Sequence, residues 1–135
     1  MRPQLALREF ALAGLALLAV AAALAVAAHL RRHAGHRPVP VGSYVALAGS
    51  SGPAAFGRRT TCGGVITPET EGVTHPTLPC GARIFVTFHS RTVLVQVVDH
   101  GPTPPGREFD VTDALARRLG LSGVQSVHWS YARAG

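Results

Sequence analysis

Phe10 to Ala28 is apolar or glycine at every position, and the run reaches Leu30 with only His29 inside it. Wound as a helix at about 1.5 Å per residue, it would extend roughly 28 Å, close to the hydrocarbon thickness of a bilayer. Arg2 and Arg8 precede it, and Arg31 and Arg32 end it. Flanks that turn charged so abruptly are a poor match for a helix buried in a soluble core. The run therefore divides the chain into an apolar segment over residues 1–32, a Pro- and Gly-bearing linker over 33–42, and a folded domain over 43–135. Two readings of the first segment stay open. It is a transmembrane helix that touches the membrane through residues 10–30, or a secretion signal cleaved beside the small residues Ala25-Val26-Ala27.

Charge supports this division. Of the formal net charge of +6, residues 1–42 carry five Arg against Glu9, or +4, and the rest carries eight Arg against six acids, or +2. The excess lies beside the apolar run, where it reads as a membrane flank. The folded part has no basic run interleaved with aromatics, so nucleic acid is not an expected partner. Arg31, Arg32 and Arg37 outnumber Arg2 and Arg8, and a charge count alone would keep the domain on the cytoplasmic side.

The remaining roughly 90 residues can bury only a modest core. Their pattern is mainly β. Tyr44-Val45-Ala46-Leu47 suits a first strand, and Arg83 to Phe88 and Thr92 to Val98 are two runs rich in β-branched and aromatic residues, punctuated by His89-Ser90. Gly101 to Gly106 holds three prolines and is a loop. One short amphipathic helix follows, with Thr112 as N-cap, Leu115 and Leu119 on one face, and Gly120 as its stop. Gly123 to Ser130 returns as a last strand. Short strands, one helix and many turns indicate a small barrel.

Four motifs occur in order: Gly57-Arg58-Arg59-Thr60-Thr61-Cys62-Gly63, Thr74-His75-Pro76-Thr77-Leu78-Pro79-Cys80-Gly81, Val98-Asp99-His100-Gly101-Pro102, and Arg107-Glu108-Phe109-Asp110-Val111-Thr112. Together they resemble the rare lipoprotein A-like double-psi β-barrels, relatives of expansins and of some lytic transglycosylases. The resemblance covers roughly residues 42–131. It implies a six-stranded double-psi β-barrel with a groove that meets peptidoglycan, without cofactor or metal, in a protein expected to be monomeric.

Asp99 ends an apolar strand ahead of a Gly-Pro turn, and Asp110 follows a loop that can return to the same rim. Paired carboxylates beside a sugar groove are what general acid/base cleavage of a glycosidic bond requires. The resemblance puts Asp99, Asp110 and His75 at the groove as candidate catalytic residues. Each has a plainer reading: Asp99 as a turn carboxylate, Asp110 as a cap or an ion pair with Arg107, and His75 as a partly buried ring bonded to backbone. None of the remaining histidines shows metal-ligand spacing with the cysteines.

Two departures from the family pattern are informative. Where catalytic-looking members carry a Glu and, three residues on, an Asp before a Pro, this chain has Gly64 and Thr67 before Pro68. Glu69 and Glu71 are out of register with those positions. Cys62 and Cys80 replace residues that are not cysteine in the family pattern. A paired change of this kind implies a disulfide between the two motif loops, contributing about 3 kcal/mol. Disulfides persist outside the reducing cytoplasm, so the barrel is expected outside, membrane-held or secreted after cleavage. Three functions follow in order: peptidoglycan cleavage of the lytic transglycosylase kind, expansin-like wall binding without cleavage, and a structural or protein-binding barrel.

Overall fold

The computed structural model describes residues 3–33 and 38–133. The chain divides into two compact units, residues 1–37 and 38–135. The first holds a single helix, α1, Pro3–His33. Helical conformation is common to both readings of the apolar run. Crossing a membrane is not borne out: among the described residues no helix is long and apolar enough to do so.

The second unit is a closed barrel of six strands in the order β1-β5-β2-β4-β3-β6. They are β1 Val39–Ser50, β2 Val73–Thr74, β3 Arg83–Phe88, β4 Arg91–Asp99, β5 Phe109–Val111 and β6 Gln125–Arg133. Two neighbouring pairs are parallel, β1 with β5 and β2 with β4. The other contacts around the barrel are antiparallel. The six-stranded barrel expected from the motifs is thus the fold observed, with helix α2, Asp113–Leu119, and one 3-10 turn, Pro53–Ala55, between strands.

Alternation builds the interior. Ile84, Val86 and Phe88 of β3 and Val93, Val95 and Val97 of β4 point inward, each at every second position, and meet Val127 of β6 and Phe109 and Val111 of β5. The hairpin between β3 and β4 closes on His89-Ser90, with Phe88 opposite Arg91. His89 takes φ 51° there, the left-handed turn geometry that a two-residue connection needs. β1 begins earlier than its sequence suggests. Val39, Pro40 and Val41 pair with Arg133, Ala132 and Tyr131, and a register shift before Tyr44 joins this stretch to the rest of the strand. Residues 39–42, read as linker, are therefore strand.

Helix α2 is capped differently at its two ends. Gly120 adopts the left-handed conformation (φ 74°) and its N–H closes back onto Ala116 and Arg117. Thr112 sits at the N-cap, yet its hydroxyl makes no cap bond. It accepts instead from the buried N–H of Gly72 at 3.1 Å, while the Thr112 N–H donates to the Gly72 carbonyl. The residue is a buried clasp between α2 and the approach to β2. Thr112→Val keeps the shape and leaves the Gly72 N–H unpaired, so it should lower stability in urea unfolding by about 1–3 kcal/mol, whereas Thr112→Ser should stay close to wild type.

Candidate functional site

The register of β2 brings the two aspartates together across one residue: Thr74 is paired with Asp110 of β5 on one side and with Asp99 of β4 on the other. Two strand spacings, about 10 Å of backbone, therefore separate Asp99 from Asp110.

Asp99 has no exposed surface. Its Oδ2 accepts from Arg58 Nη1 at 2.6 Å, and its Oδ1 accepts from the Thr61 N–H at 2.9 Å, the Thr61 hydroxyl at 3.0 Å and the His100 N–H at 3.0 Å. Burial would push its carboxyl pKa up, but the Thr61 N–H, Arg58 and the Thr61 hydroxyl outweigh it and hold the carboxyl below its ordinary value. A carboxylate so placed stays ionised with its lone pairs occupied. It is a poor proton donor to a leaving group, which needs a raised pKa and open access.

Asp110 is also nearly buried. Its Oδ1 accepts from Arg107 Nη1 at 2.7 Å, the ion pair that the plainer reading of this residue anticipated. Gly49, the β1 partner of Asp110, makes room for that arginine, since a Cβ at position 49 would meet Arg107 Nε at 2.7 Å. Arg58, Arg107 and Asp110 line one open cavity of about 380 Å³, walled by Ser50, Ser51, Ala54, Ala55, Pro102 and Pro104. The two arginines were missed as functional residues by sequence reasoning, although both lie inside the quoted motifs.

His75 faces elsewhere. Its backbone N–H bonds the Asp99 carbonyl at 2.9 Å, but its Nδ1 accepts from the Thr77 and Leu78 N–H groups at 3.2 Å each. The ring proton therefore sits on Nε2. The ring lies 6.0 Å from Phe109 and 5.9 Å from Trp129, centroid to centroid. Burial lowers its pKa most, Glu108 partly offsets this, and His100 lowers it further. No hydrogen bond joins the imidazole to either aspartate among the described residues. Beside it lies an aromatic cluster absent from the sequence reading: Tyr44 stacks on Trp129 at 4.6 Å, and Tyr131 packs edge-on to both. The alternate spacing of Trp129 and Tyr131 on one strand was the available signal.

Cys62 and Cys80 form the disulfide that the motifs implied, with Cα atoms 5.5 Å apart. The fold carries His100 to this bridge, its Nε2 3.7 Å from Cys80 Sγ. Although the three side chains lie within 4.8 Å of one another, disulfide sulfurs are not thiolates and offer no zinc-type ligand charge. Gly64 lines a second cavity, of about 390 Å³, with Thr60, Cys62, Thr70, Cys80 and Gln96. No acidic residue lines it. Of the two acids that follow Pro68, Glu71 is paired with Arg118 of α2.

Comparison with known proteins agrees with this geometry. The family model described as lytic transglycolase, of the double-psi β-barrel type, matches residues 48–131. The chain belongs to that family. Among curated proteins it is 39% identical over 87 residues to the endolytic peptidoglycan transglycosylase RlpA of Yersinia pestis, covering 63% of this chain and 24% of that protein. It is 38% identical over 80 residues to a probable RlpA of Synechocystis, covering 56% and 25%. The chain thus spans about a quarter of the length of these relatives. A solved Streptomyces papain inhibitor aligns over 70% of this chain and 97% of its own with a TM-score of 0.56 at 21% identity, a likeness of fold.

Because Asp99 is held ionised below its ordinary pKa, it contributes stability above about pH 4 that fades as pH falls through its folded-state value. Thermal unfolding followed from pH 7 to pH 2 should show this acid loss in the wild type. Asp99→Asn should be less stable at pH 7 by roughly 1.5–3 kcal/mol and should show a shallower acid slope; parallel curves would assign the slope to other groups.

Proposed function

We propose that residues 38–135 form an extracytoplasmic peptidoglycan-recognising domain whose ligand enters the cavity between Arg58 and Arg107. Membership of the lytic transglycolase family supports the ligand class, and the names of the RlpA relatives point the same way. The Cys62–Cys80 bridge supports a location beyond the reducing cytoplasm. One observation carries recognition over cleavage. The two aspartates offered as acid/base are both committed to arginines, and the cavity at Gly64 lacks the carboxylate that catalytic-looking members carry there.

Cleavage is the second reading, and His75 is the candidate that stands outside both ion pairs. Its ring is half-buried and its Nε2–H is uncommitted among the described residues, so it can donate to a sugar oxygen. To act as the acid it would first have to take a proton at Nδ1, which its lowered pKa and the two N–H groups on that nitrogen oppose. Lytic transglycosylation can proceed with one acid/base group, because a hydroxyl of the sugar itself takes the place of water. Purified protein incubated with isolated sacculi should co-sediment with them and release no anhydro-muropeptides. Release of such products that is abolished by His75→Ala would replace recognition with catalysis. Failure to sediment would remove peptidoglycan as the ligand.

A further inference from the structure

We infer that the Arg58–Arg107 cavity is a carboxylate-binding site, taking a carboxylate that carries a neighbouring methyl group; this rests on the peptidoglycan reading and names the part of the polymer that is recognised. Charge is distributed unevenly between the two sides of the ion pairs. The Asp99 side chain has no exposure while that of Arg58 is 44% exposed, and the corresponding values are 8% for Asp110 and 21% for Arg107. The cluster is formally neutral, but a ligand in the cavity meets mainly guanidinium.

Donor capacity is left over as well. Each guanidinium has five N–H donors. Arg58 spends Nη1 on Asp99, and Arg107 spends Nη1 on Asp110 and on the Ser50 carbonyl at 3.4 Å. Asp99 offers Arg58 only its Oδ2, because Oδ1 is taken by Thr61 and His100, so the ion pair engages one guanidinium nitrogen. A planar fork anchored from behind by a buried carboxylate is suited to bidentate capture of a second carboxylate in front.

The walls narrow the choice. Ala54, Pro102 and Pro104 give the same cavity an apolar side, against which a methyl group beside the carboxylate can rest. Two carboxylates of peptidoglycan have that form: the lactyl group on the muramic sugar, when no peptide is attached, and the terminal alanine of a stem peptide. A volume of about 380 Å³ suits one such group with its immediate substituent.

Titration of the full-length protein with N-acetylmuramic acid, D-alanyl-D-alanine, and the methyl ester of each, followed by NMR or calorimetry, tests the assignment. At least one free acid should bind, its ester roughly tenfold more weakly, with perturbed resonances at Arg58, Arg107 and Ala54. Which acid binds identifies the source. Arg107→Lys and Arg58→Lys, which keep the charge and lose the fork, should each weaken the acid and spare the ester. Should Arg58→Lys fail to fold, acid against ester on wild type still decides. Equal binding of acid and ester, no binding of either acid, or perturbation confined to the Trp129 face, would overturn the site. If sacculi sediment the protein equally before and after carbodiimide amidation of their carboxyl groups, the site fails while the peptidoglycan reading stands. If they never sediment it, that reading fails too.

Discussion

An ionised carboxylate without access to water costs several kcal/mol unless donors surround it, and Asp99 is such a group. Its four donors come from Arg58, Thr61 and the adjacent His100, so the strand end is neutralised chiefly by the segment that crosses from β1 to β2. Withdrawing that segment would strand the charge. The loop is therefore part of the fold. The disulfide at Cys62, one residue beyond Thr61, pins the same loop covalently to the β2–β3 connection at Cys80. Charge and covalency act on neighbouring residues, and together they fix the direction in which Arg58 points.

The sequence carried the long strands and the helix because period-2 alternation and a capped amphipathic pattern are written over enough residues to be read. β3 matched its expected bounds, and β4 differed by a residue at each end. β2 and β5 were invisible for a physical reason: they are two and three residues long and buried at every position, so no alternation exists to detect. Their placement depends on tertiary pairing, and it is that pairing which sets Thr74 between the two aspartates. The start of β1 was hidden in a similar way, since Pro40 reads as linker until β6 supplies it with a partner strand, and Gly42 lies in the register shift that follows.

The candidate site was legible as a list of residues and illegible as an arrangement. Motif order gave Asp99, Asp110, His75 and both cysteines, but nothing in a linear chain says whether a carboxylate faces a ligand or an arginine. Resolving that changes the chemistry assigned to each residue. Asp99 is paired with Arg58 and Asp110 with Arg107, while the His75 ring lies beside Phe109 and Trp129, next to the aromatic cluster that Trp129 forms with Tyr44.

A carboxyl group cannot serve well both as the buried counter-ion of a guanidinium and as the acid that protonates a leaving sugar, because the first role lowers its pKa and the second needs it raised. In this barrel both groove aspartates have taken the first role, and Gly64 and Thr67 add no carboxylate of their own. What lines the cavity beside Asp110 is the pair of arginines that these carboxylates hold. The same ion pairs that weaken the case for cleavage hold those arginines at the cavity, so the proposed recognition and the weakened case for cleavage have a single structural cause.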